Sequence, residues 1–102
     1  MTRQVVYLPE VTRDFADAFA YYEALSPVVA LRFDEAFGRA EAEVETGLVT
    51  HHRAFKHYHR VFVGSYPYNL YYRLDGTTAV IVGVLYARLP PEQLAATLQR
   101  RD

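Results

Sequence analysis

Apolar and polar positions alternate most regularly between Arg60 and Tyr86. After Pro67, Tyr68, Leu70, Tyr72 and Leu74 fall on one side of an extended chain, and Asn69, Tyr71 and Arg73 on the other. The run is punctuated at Ser65-Tyr66-Pro67, where proline removes a backbone donor, and at Asp75-Gly76, where glycine accepts the positive φ of a hairpin turn. Three consecutive antiparallel strands are predicted. The last of them is apolar on both sides, Val80, Val82 and Val84 against Ala79, Ile81 and Leu85. A strand buried on both faces belongs inside a sheet, so it requires a further neighbour.

That neighbour is supplied by Val5 to Leu8, a short strand ended by Pro9. A helix follows, with Thr12 as its predicted cap, Asp14 in its first turn, and Phe15, Ala18, Phe19, Tyr22 and Leu25 at three- and four-residue steps. Ser26 stops it and caps the next helix, in whose first turn Pro27 loses no hydrogen bond. The second helix carries Val29, Phe33, Phe37, Ala40 and Val44 on one stripe and ends at Gly47. From Thr50 to His59 the pattern fits either a loop or the start of the second strand. Pro90-Pro91 opens a final helix whose apolar side, Leu94 and Leu98, is thin, so weak docking is predicted. The expected fold is α+β, with two layers: a β-α-α-β-β-β order, a helical hairpin on a four-stranded twisted sheet with the first strand beside the fourth, and a short C-terminal helix.

At 102 residues one domain over 1–102 is expected. The absence of cysteine excludes disulfides, thiolate metal sites and thiol catalysis. No basic segment followed by an apolar run opens the chain, and no apolar run is long enough to span a bilayer, so a soluble, cytoplasmic protein without a membrane partner is expected. The formal charge is −1, from 11 Lys and Arg against 12 Asp and Glu, which gives no support to a strongly basic nucleic-acid binder. The distribution is uneven, however. Between Val49 and Arg73 stand Arg53, Lys56, Arg60, Arg73 and all four histidines with no carboxylate, whereas the second helix carries Asp34, Glu35, Glu41, Glu43 and Glu45.

The element order, together with Arg60 and the run Tyr66-Pro67-Tyr68-Asn69-Leu70-Tyr71-Tyr72-Arg73, resembles the RelE/ParE superfamily of bacterial type II toxin–antitoxin toxins over about Val5 to Pro91. Those proteins place a basic residue in the second strand, an aromatic-Pro-Tyr turn after it, an aromatic and a basic residue at the end of the middle strand, and a histidine followed closely by arginine after the fourth. Tyr66-Pro67-Tyr68 fits the turn, Tyr72-Arg73 the strand end, and Arg88 the later arginine. Tyr86 stands where histidine is common, and Leu89 where a second arginine is often found. Helix lengths and the Tyr-Pro-Tyr turn bring the chain nearer the ParE side. The resemblance implies a toxin neutralised by a cognate antitoxin, with DNA gyrase or ribosome-bound messenger RNA as its target. A non-toxic binding domain that keeps the fold is the alternative, and a homodimer stays open.

Metal-independent RNA cleavage needs a base for the 2′-hydroxyl, a donor for the leaving oxygen and fixed positive charge at the phosphate. The candidate catalytic residues are Arg60, Arg73, Arg88, Tyr86 and His57; Tyr71, Arg73 and Arg88 are the candidate binding residues. Arginine stays protonated and is a poor base, so a histidine would have to serve. His57 is the first choice. Tyr66, Tyr68 and Tyr72 suit structural positions at the core edge. His51, His52, His57 and His59 include no obvious third metal ligand, and no cofactor is expected.

Overall fold

The computed structural model describes residues 2–102. Its elements are β1 (Gln4–Tyr7), α1 (Glu10–Leu25), α2 (Pro27–Thr46), β2 (His52–Phe55), β3 (Tyr58–Phe62), β4 (Tyr68–Asp75), β5 (Thr78–Tyr86) and α3 (Pro91–Arg101). The sheet order is β1-β5-β4-β3-β2. β5 lies between β1, which runs parallel to it with Val5 opposite Ala79, and β4, which runs antiparallel. Its two-sided apolar sequence thus occupies the interior position it demands. The sheet has five strands rather than the expected four. The additional strand, β2, is four residues long, with two polar residues followed by two apolar ones, and irregular in register between Arg53 and Phe55, so it leaves no alternating signal in the sequence.

The helical hairpin covers one face. α1 begins at Glu10 after Pro9, so Thr12 lies inside the helix instead of capping it. Ser26 does cap α2, its Oγ accepting from the Val29 N–H at 3.5 Å, and Gly47 ends that helix at φ 67°, a left-handed conformation that costs glycine little. Ala18, Tyr22, Phe33, Phe37 and Val44 pack against Val61, Leu70, Tyr72 and Ile81 of the sheet. Phe15 stacks among Phe19, Phe33 and Phe37, while Tyr66 sets its ring edge against Tyr22 and Phe33 and donates its hydroxyl to the Val29 carbonyl. Two residues assigned to the core by periodicity are outside it. Leu25, the last residue of α1, is 66% exposed, and Leu74 is exposed near the β4–β5 turn.

A β-bulge in β5 alters the second face. Tyr71 pairs with Gly83 but Tyr72 with Ile81, leaving Val82 as the extra residue. Strict alternation would put Val80, Val82 and Val84 on one face. Instead Val84 joins Ala79 and Ile81 under the hairpin, while Val82 and Leu85 join Tyr58, Tyr71 and Leu98 in a second core. α3 covers that core, with Leu98 fully buried and Leu94 packed beside it.

Ion pairs fasten α3 more firmly than its thin apolar side predicts. Arg101 grips Asp14 of α1 at 2.5 and 2.9 Å and also donates to the Val82 carbonyl, while Asp14 accepts from the Val84 N–H at 3.0 Å. β1 ends opposite Ile81, so beyond it the edge of β5 has no strand partner. Asp14 and Arg101 satisfy backbone groups of the edge at the bulge. Gly83 permits the approach, since a Cβ there would lie 3.0 Å from Arg101 Nη1.

Phe33→Ala and Leu70→Ala should each lower stability by about 2–5 kcal/mol, as the truncation of large core side chains does. Arg101→Ala should cost about 3 kcal/mol, because Asp14, whose side chain is only 10% exposed, would keep its charge without its partner. Denaturant midpoints at unchanged slope test all three; an unshifted midpoint for Arg101→Ala would mean that the pair does not hold α3.

Candidate functional site

The antiparallel course of β4 and β5 decides which of the candidate residues can act together. Tyr68 at the start of β4 lies opposite Tyr86, so Arg88, just after β5, belongs to that end of the sheet. Arg73 lies opposite Val80, five residues further along β4, about 17 Å away at the ordinary rise of a strand. Arg60 lies opposite Tyr71, between the two ends. The three arginines are spread along the sheet and do not converge on one phosphate.

Arg73 is also occupied. It donates to both Asp102 carboxylate oxygens, at 2.5 and 3.0 Å, and the Tyr58 hydroxyl donates to the same group at 2.8 Å. The hydrogen bond from Arg73 holds the Asp102 carboxyl below the usual carboxylate range, against the opposing effect of burial. The same bond raises Arg73 above the ordinary arginine value. Burial first, and then the contact with Asp102, pushes Tyr58 up to about 12. Tyr71, a candidate for stacking on a base, is buried in the core under α3, where its hydroxyl accepts from Asn69 Nδ2 at 3.3 Å. His57 is exposed, with its ring 4.4 Å from that of Tyr58. It stands at the Arg73 end of the sheet, away from Arg88.

His51 and His59 serve the packing, while His52 is exposed. His51 sits between the Tyr72 hydroxyl, 2.8 Å from Nδ1, and Glu43, 3.0 Å from Nε2. His59 stacks on Tyr72 with ring centroids 5.1 Å apart; burial lowers its pKa, and the neighbouring positive charge of Arg53 lowers it further. Among the described residues no three metal-ligating side chains converge, and no helix is long and apolar enough to cross a membrane.

Tyr86 occupies a different setting. Its ring lies 5.9 Å from Tyr68, and the two border a cleft of about 390 Å³ completed by Tyr21, Tyr22, Leu25 and Pro67. Burial raises the pKa of Tyr22 and Tyr68, so both keep neutral hydroxyls, suited to hydrogen bonding and poor as bases. The hairpin exposes Tyr21 and Leu25 from α1 at the cleft, and Val28 and Leu31 at the start of α2. This surface is aromatic and aliphatic, as an apolar peptide anchor requires.

The family model describing the ParE toxin of type II toxin–antitoxin systems, parDE, matches residues 5–89. The chain belongs to the ParE toxin family. It is therefore a toxin component of a type II toxin–antitoxin system, and membership implies a cognate antitoxin. A comparison with curated proteins finds no match. The family match ends before Pro91, so α3, which covers Tyr71 and supplies Arg101, lies outside it.

In this ParE-family chain the groups missed by sequence reasoning are Asp14, Arg101 and Asp102, together with the cleft-lining Tyr21 and Leu25. Leu25 matches the apolar stripe of its helix, and nothing local marks it as exposed. The long-range pairs have no local signal at all. Asp102 makes a measurable difference in acid. Its depressed pKa contributes stability that is fully present above the unfolded carboxylate value, about 3.9, and is lost as pH falls through the lower folded value. The native protein should therefore lose more stability than Asp102→Asn as pH is lowered from about 4. Parallel stability–pH curves for the two proteins would contradict this.

Proposed function

We propose that this toxin acts by binding and inhibiting DNA gyrase, that it does not cut messenger RNA, and that its antitoxin neutralises it by laying an apolar segment against the cleft of Tyr21, Leu25, Tyr68 and Tyr86. The observation that carries the reading is the placement of Arg73 and Arg88 at opposite ends of β4 and β5, with Arg73 already paired to Asp102. Ribonuclease chemistry requires positive charge and a proton acceptor gathered at one phosphate. Tyr86 replaces the common histidine near Arg88, and a phenol hydroxyl is a hydrogen-bonding group and a poor general base. Inhibition by binding requires no proton transfer and tolerates both features. Family membership supports the gyrase target, and the exposed Leu25, Val28 and Leu31 support an apolar antitoxin segment.

Purified protein added to gyrase and supercoiled DNA is expected to accumulate cleaved DNA–gyrase complex and to leave message on translating ribosomes intact. Codon-positioned new 5′ ends that disappear in folded Arg73→Ala or Arg88→Ala proteins would overturn the proposal in favour of ribosome-dependent cleavage. Abundant folded protein with no effect on growth of the native host would favour the non-toxic binding domain instead. For the antitoxin surface, Leu25→Asp should abolish rescue by the neighbouring-gene partner while leaving toxicity in place. Rescue that survives Leu25→Asp would place the antitoxin elsewhere.

A further inference from the structure

The basic, carboxylate-free stretch from Arg53 to Arg60 has no role in the reading above. The structure folds much of it into the β2–β3 hairpin, at the sheet edge remote from β1. His52 pairs with Arg60, and Arg53 with His59. Among the described residues, Arg53, Lys56 and Arg60 meet no carboxylate; nearby Glu43 is engaged by His51 and Asp102 by Arg73. The edge thus concentrates uncompensated positive charge on a chain whose formal charge is −1.

Two of these cations are set against aromatic rings. The Arg60 guanidinium lies 5.1 Å from the centroid of Phe62, and Lys56 Nζ lies 5.5 Å from that of Phe55. Phe62 is 66% exposed and stays outside the core that α3 covers. β2 begins opposite Arg60, so the edge of β3 beyond that point has no strand partner. A recess of about 280 Å³ opens there, lined by Thr50, His51, His52, Arg60 and Phe62 and, on the α2 side, by Glu43, whose carboxylate is held by His51.

From this geometry we propose that the β2–β3 edge binds single-stranded nucleic acid. Phe62 with its overlying guanidinium forms a stacking platform beside the recess, and Arg53, Lys56 and Arg60 neutralise the phosphates on either side. An acidic peptide would use the cations and leave the exposed ring without a partner. A duplex would hold its bases in their own stack, out of reach of Phe62. The proposal is independent of the gyrase reading, because the binding requires neither gyrase nor ribosome.

The test is fluorescence anisotropy of the full chain with short labelled oligothymidylate and oligouridylate, with duplex DNA and polyglutamate as competitors. Binding of one or both strands at low salt is expected, with the logarithm of the binding constant falling against the logarithm of salt at a slope of about −2, for three phosphates neutralised. Phe62→Ala should weaken binding about tenfold. Arg53→Gln/Lys56→Gln should reduce the slope to about −0.7. These side chains are outside the core, and a melting curve for each variant confirms its fold; Arg13→Gln, exposed on α1, which packs on α2 and β5, should bind as the native protein does. Stronger binding of oligouridylate would identify the strand as RNA, and stronger binding of oligothymidylate as DNA, each in support. No binding at low salt, unchanged affinity in folded Phe62→Ala, or displacement by duplex or polyglutamate as effective as by unlabelled single strand would overturn the proposal.

Discussion

β5 must be buried on both faces, and the rest of the molecule is arranged to bury it. Ile81 and Val82 are both fully enclosed, one under the helical hairpin and the other under α3. A strand of this kind cannot stand at an edge, so β1 returns to pair with it in parallel. β1 is too short to cover its whole length. Where β1 stops, the bulge at Val82 and Gly83 presents backbone groups to the Asp14–Arg101 pair, which ties α1 and α3 to the same point of the strand. Burying two charges is costly unless each is paired and hydrogen-bonded, and here the edge of the strand supplies the remaining partners.

The same constraint shapes the functional surface. By covering the second face, α3 encloses Tyr71, and the Asp102 that follows it pairs with Arg73. Among the surfaces left open are the aromatic cleft near Tyr86 at one end of the sheet and the basic β2–β3 edge at its side. These surfaces differ in chemistry, one suited to apolar side chains and the other to anions and flat rings. In a ParE-family toxin, which must meet both a target and an antitoxin, such separate surfaces allow different partners to be recognised by different physical means.

Residues whose neighbours lie close in sequence were legible. The two-sided run from Ala79 to Leu85 located β5 and required β1 beside it, and Ser26, Pro27 and Gly47 marked the ends of the helices. Gly83 carried a signal that strict alternation overlooks, because an isolated glycine within a strand often marks a bulge or a close approach. β2 was illegible because His52 and Arg53 precede Ala54 and Phe55, two polar residues before two apolar ones, with no alternation. The fate of Arg73 was equally hidden, since its partner is 29 residues away and on another element. Candidate sites chosen by residue type therefore included side chains that the fold uses for its own cohesion.

If α3 is an integral cover for β5 and not a loosely attached tail, its opening must be linked to the opening of the bulge. Native-state hydrogen exchange at the Leu98 and Val84 amides measures this directly. Both amides should be strongly protected, and Arg101→Ala should accelerate both together, since Asp14 accepts from Val84 and pairs with the helix that carries Leu98. An unprotected Leu98 amide in a protein whose β5 amides exchange slowly would contradict the account.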